Sequence, residues 1–101
     1  MDSKLLARTE ERHASRLKPP EECLVILLND DFTTMDFVVE VLMAVFHKKA
    51  EEAGRIMLDV HKKGKGIVGR YPWDIGATKA EQVHAAARES EFPLRCVLEP
   101  V

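Results

Sequence analysis

Cys23-Leu24-Val25-Ile26-Leu27-Leu28-Asn29-Asp30-Asp31 is the stretch on which the fold turns. Six apolar residues without polar alternation read as a short central strand covered on both faces, and Asn29-Asp30-Asp31 closes it with turn chemistry. From Thr33 the period changes. Phe37, Val38, Val41, Leu42, Val45 and Phe46 recur at the spacing of one helix face. Thr33, with Asp36 three residues on, reads as a capping box with Asp in place of Glu.

Outward from there the elements succeed one another in order. A second helix is expected from about Ala50 to Lys62, with Glu51 and Glu52 in its first turn, Lys62 and Lys63 at its end, and Gly64 as its stop. Ala53, Ile56, Met57 and Val60 form its inner stripe. Gly66–Tyr71 reads as a strand in spite of Gly69, Pro72–Gly76 as a turn, Ala77–Ser90 as an Ala-rich helix, and Leu94–Leu98 as the last strand. The order β-α-α-β-α-β specifies an α+β domain, a three-stranded antiparallel sheet covered by three helices.

With 101 residues there is room for one domain. Residues 1–20 hold five basic and three acidic side chains and end at Pro19-Pro20. Their few large apolar residues cannot offset the entropy of ordering them, so a flexible extension is expected there and a folded core over 21–101. The whole chain carries net −2, with 32 % charged and 46 % hydrophobic residues, which disfavours a strongly basic nucleic-acid binder. No apolar run is long enough for a membrane span, and no signal-peptide core precedes the domain. Cys23 and Cys96 lie in apolar, strand-like stretches and read as buried thiols of a cytoplasmic protein.

The residues suited to chemistry are few. His13, His47, His61 and His84 are scattered, with no Cys-x-x-Cys or His-Glu-x-x-His spacing, so neither a metal nor another cofactor is expected. Lys63-Gly64-Lys65-Gly66 lacks the phosphate-loop arrangement and leads into a strand, and no nucleophile elbow surrounds Ser3, Ser15 or Ser90. The unusual place is Asn29-Asp30-Asp31, a cluster of acceptors between a strand and a capped helix, suited to a ligand with N–H donors and positive charge. His61 stands at the edge of the second helix's inner stripe, where a packed histidine or a partner of the helix dipole is the alternative. Met35, Val38, Met57 and Val60 fit an adaptable pocket, although at helical spacing such residues more often fill a core, and periodicity does not decide between the two.

Leu28-Asn29-Asp30-Asp31-Phe32-Thr33-Thr34-Met35-Asp36-Phe37-Val38 resembles the signature of ClpS, the bacterial adaptor of the Clp protease. The resemblance continues through Met57–His61 with Gly64-Lys65, Ala77–Lys79, Ala87–Glu89 and Pro93-Leu94, covering about Glu21 to Glu99. It implies an adaptor rather than an enzyme, working in the bacterial cytoplasm without cofactor, nucleic acid or membrane. Its partners would be N-degron substrates beginning with Leu, Phe, Tyr or Trp, and a ClpA-type AAA+ unfoldase of the ClpAP protease. Carried over, Asn29, Asp31 and His61 would hold the substrate's α-amino group, with Asp30 assisting through its backbone or a water. Leu28, Thr33, Met35, Val38, Met57, Val60 and Leu94 would line the side-chain pocket, and Asp74 and Lys79 would contact the unfoldase. Residues 1–18 would serve delivery, and Thr34, in place of a proline common in the family, is expected to loosen the loop modestly. Two other readings stand beside this one: an interaction module like that of the ribosomal stalk, and a small acid–base enzyme using Asp31 and His61.

Overall fold

A computed structural model describes residues 21–101, so the extension expected over residues 1–20 lies outside the described residues. The elements run β1 (Glu22–Leu28), α1 (Met35–Ala44), α2 (Ala50–Lys63), β2 (Lys65–Pro72), α3 (Trp73–Glu89) and β3 (Arg95–Pro100). Both outer strands pair antiparallel with β1, in the order β2-β1-β3, which gives the expected α+β architecture.

The strand is central, as its sequence indicates, but the helices cover only one of its faces. Alternation directs Cys23, Val25 and Leu27 into the core shared with Val41 and Leu42 of α1, Ala53 of α2 and Val83 of α3. Ile26 points the other way and is shielded instead by its cross-strand neighbours Ile67 and Val97. The apolar run thus reflects a middle position in the sheet, not two helical layers. Between Val25 and Ile26 the register with β2 shifts: Val25 faces Gly69 and Ile26 faces Ile67, so Val68 is the extra residue of a bulge and is buried.

Two close approaches fix the helices on the sheet. A Cβ on Gly66 would sit 2.8 Å from Val60 Cγ2 and 2.9 Å from the Ile56 carbonyl, so only glycine lets β2 lie against α2 at that point. A Cβ on Gly76 would meet Cys23 Sγ at 2.8 Å, which presses α3 onto β1. Cys23 and Cys96 are both buried and free. Burial pushes the Cys96 thiol up to about 12, aided by Cys23, and raises Cys23 as well, with Glu22 adding to it. His84 of α3 accepts a hydrogen bond at Nε2 from the Cys96 N–H (2.9 Å), satisfying the outer edge of β3.

Two local expectations need correction. The N-cap of α1 is Thr34, whose hydroxyl accepts from the Phe37 N–H at 3.1 Å; Thr33 bonds backwards to Asp30, so no capping box links it to Asp36. Nor is Pro72–Gly76 a turn. Pro72 ends β2 and α3 starts at Trp73, because Pro72 has the extended backbone (ψ 147°) of a cap and the acidic Asp74 falls in the first helical turn. Among the described residues, no helix is long and apolar enough to cross a membrane.

Candidate functional site

The site grows from the end of the central strand. Leu28 is the last paired residue of β1, opposite Lys65 on one side and Arg95 on the other. The next amide, that of Asn29, donates to the Gly64 carbonyl at 2.9 Å. Gly64 closes α2 in the left-handed conformation (φ 91°), which glycine adopts without a Cβ clash. That one bond sets the end of β1 beside the last turn of α2, the turn that carries His61.

Asp30 organises the loop that leads into α1. Its Oδ1 accepts from the backbone N–H of Phe32 (2.8 Å) and of Thr33 (2.7 Å), and its Oδ2 accepts from the Thr33 hydroxyl (2.7 Å). Burial acts to raise the Asp30 pKa, but the hydrogen bonds from Thr33 and Phe32 outweigh it and hold the carboxyl below the usual range. The Asp30 carboxylate is therefore engaged in shaping the loop. Thr34 then starts α1, and its hydroxyl supplies a cap bond that a proline side chain cannot make.

Between the N-terminal turns of α1 and the last turns of α2 lies a cavity of about 420 Å³. Asn29, Asp30, Asp31, Phe32, Thr33, Thr34, Met35, Val38, Met57, Val60 and His61 line it. Its floor is apolar, from Val38 and Val60, which are buried, and Met57, which is half-buried. Its mouth is polar, with Asn29, Asp31 and His61 exposed. The lining holds two carboxylates and no lysine or arginine. Because Asp30 is committed to the loop, Asp31 is the carboxylate open to a ligand. The chemistry offered is that of a cation seat above a hydrophobic hole.

The structure brings Asn29, Asp30, Asp31, Thr33, Met35, Val38, Met57, Val60 and His61 together around one cavity. Leu28 and Leu94 do not line the cavity. Leu28 is held in the strand pairing, and Leu94 is buried in the core, just after Phe92, whose ring is tilted 54° against that of Phe37 with centroids 5.0 Å apart. Phe32 and Thr34, which sequence reasoning does not assign to the pocket, do line it; an aromatic residue inside an Asx turn is the available signal. Asp74 and Lys79 lie away from the cavity. Asp74 is exposed in the first turn of α3, where its Oδ1 accepts from the Ile75 N–H (2.9 Å). The Lys79 ammonium donates to the Val45 carbonyl (2.9 Å) at the far end of α1 and stands 5.9 Å from the centre of the Phe46 ring. Among the described residues, no group of His, Cys, Asp and Glu is arranged to hold a metal.

Residues 18–97 match the family ClpS, ATP-dependent Clp protease adaptor protein ClpS. The chain belongs to the ClpS family. It is 61 % identical over 83 residues to the ATP-dependent Clp protease adapter protein ClpS of Acetivibrio thermocellus, covering 82 % of this chain and 84 % of that protein. To that of Syntrophus aciditrophicus it is 55 % identical over 86 residues, covering 85 % and 80 %. Among solved structures it is similar to Agrobacterium tumefaciens ClpS2 bound to L-phenylalaninamide, with a TM-score of 0.78 and 38 % identity over 81 % of this chain and 99 % of that one. ClpS proteins are adaptors of the Clp protease, so this chain is an adaptor and not an enzyme.

Proposed function

We propose that the chain reads the beginning of substrate proteins, binding a free α-amino group together with a bulky apolar first side chain (Leu, Phe, Tyr or Trp), and passes them to a ClpA-type unfoldase in the bacterial cytoplasm. The observation that carries this reading is the union in one cavity of the acceptors Asn29, Asp31 and His61 with the apolar floor of Val38, Met57 and Val60. The ligand of the Agrobacterium relative supports it, since L-phenylalaninamide joins a free amino group and a benzyl side chain on one carbon.

An α-ammonium has three donors and, with a pKa of about 8, is charged at neutral pH. Taking it from water is costly unless each donor finds an acceptor. The Asn29 carbonyl oxygen, the Asp31 carboxylate and a ring nitrogen of His61 fill that inventory. Each charge-assisted bond contributes about 1.5–3 kcal/mol net, and burial of a Leu or Phe side chain adds about 1.5–3 kcal/mol. After the cost of association, affinities on the micromolar scale result. Met35, half-exposed at the mouth, narrows the entry and disfavours first residues branched at Cβ.

For the unfoldase, the exposed Asp74 is the available contact on α3. Lys79 joins it only by exchanging the Val45 carbonyl for an acceptor on the partner. The test of the main reading is a titration of peptides that differ only in their first residue. Leu, Phe, Tyr and Trp should bind and Ala, Gly and Glu should not; binding indifferent to the first residue would overturn it.

A further inference from the structure

We propose that Phe32 reads the second residue of the bound chain and favours a side chain that can lie on its ring, arginine foremost; this inference rests on the reading above that the cavity takes a chain beginning. The lining is graded in depth. Val60 and Val38 are 2 % and 5 % exposed, whereas Met35 is 48 % and Phe32 74 % exposed. Successive side chains of an extended peptide point to opposite sides. A chain whose first side chain descends to Val38 and Val60 therefore turns its second side chain outward, to the rim.

Phe32 is the one aromatic residue of that lining. Its position is set by the loop and not by packing of its ring. The Phe32 N–H is held by Asp30 Oδ1 at 2.8 Å, and the next N–H, of Thr33, shares the same oxygen at 2.7 Å. The backbone is fixed while the ring stands in solvent, with the Asp31 carboxylate on the preceding residue. A guanidinium on an aromatic face beside a carboxylate gains from both the ring's quadrupole and the charge. A glycine at the second position offers neither contact.

The test uses the full chain and three peptides of otherwise identical sequence, beginning Leu-Arg, Leu-Gly and N-acetyl-Leu-Gly, titrated by fluorescence anisotropy. The unaltered chain should prefer Leu-Arg over Leu-Gly by about three- to fivefold, the worth of one exposed cation–π contact. Phe32→Ala should bring that ratio close to one, and Phe32→Tyr should restore it. A ratio that Phe32→Ala leaves intact would assign the preference to the field of the aspartates and overturn the inference, as would a flat ratio in the unaltered chain. If acetylation abolishes binding while the ratio is flat, Phe32 loses its role and end recognition stands. If the acetylated peptide binds as well as the free one, end recognition falls and takes this inference with it.

Discussion

Two strand-to-helix connections in this domain are built on opposite plans. From β1 to α1 the chain takes residues 29–34, whereas β2 passes into α3 with no intervening residue, Pro72 ending the strand and serving as the helix cap. Both carry an aspartate bonded to nearby backbone amides, Asp30 to Phe32 and Thr33, and Asp74 to Ile75. The longer connection lets one aspartate hold the loop's shape while Asn29 and Asp31 keep their polar groups at a cavity mouth. The shorter one has no such slack, and behind it Gly76 is driven onto Cys23. One connection opens onto a cavity and the other closes onto the core. Possessing an Asx residue does not distinguish them; length and the division of labour among neighbours do.

That contrast can be broken from either side. The largest effect is expected from Asp31→Ala, which removes the one carboxylate open to a ligand ammonium. Affinity for a Leu-starting peptide should fall by about 10- to 150-fold, equivalent to about 1.5–3 kcal/mol, while the melting temperature stays nearly unchanged. Gly76→Ala should do the reverse. Its new methyl meets Cys23 Sγ at 2.8 Å, Val25 and Leu98, so stability should drop by about 1–3 kcal/mol in a denaturant titration, with peptide affinity retained at temperatures where the domain is folded.

Asp30→Ala sharpens the comparison, since Asp30 organises the loop. A loss of about 0.5–2 kcal/mol of stability is expected, as for a lost cap, accompanied by weaker binding. The lowered Asp30 pKa means that its contribution is present above the unfolded value near 3.8 and is lost as pH falls through the folded one. The variant should therefore show a smaller loss of stability on acidification, measurable by denaturant titration across the acid range. The smallest effect near neutrality belongs to the thiols beneath α3. Cys96 is raised from 9.0 to about 12, so the unfolded chain gives up its proton first. Stability should be at its full value below pH 9.0 and fall from there to about 12, and Cys96→Ala should flatten that alkaline limb.

The legibility of the sequence divides along the same line. The β1–α1 region is legible because apolar run, Asx cluster and helical period succeed one another without overlap from Cys23 to Phe46. That succession marks the Asx cluster as a seat of acceptors, whereas Met35, Val38, Met57 and Val60 are given to the pocket only by the family resemblance; all of them line the cavity. The β2–α3 junction reads as a turn because Pro72 and Gly76 are turn formers in isolation; here Pro72 caps and Gly76 is a packing residue, which only the contact with Cys23 reveals. Leu94 is given to the pocket by the resemblance alone, and it is buried in the core away from the cavity lining. Lys79 is singled out by the family resemblance alone, and the bond of its ammonium to the Val45 carbonyl at the end of α1 joins residues 34 apart in sequence. Long-range contacts of this kind leave no periodic trace. The cap of α1 shifts by one residue for a local reason: Thr33 is drawn back to Asp30, leaving Thr34 to close the helix.

The measurement that bears most directly on the cation seat is the affinity of one Leu-starting peptide with its amino group free and with the same group acetylated. Acetylation removes the charge and two of the three donors and adds bulk to the group assigned to the cavity mouth that Asn29, Asp31 and His61 line. The free peptide should bind on the micromolar scale and the acetylated one should show no saturable binding. Equal affinity for the two would mean that the acceptors at the cavity mouth do not seat an ammonium.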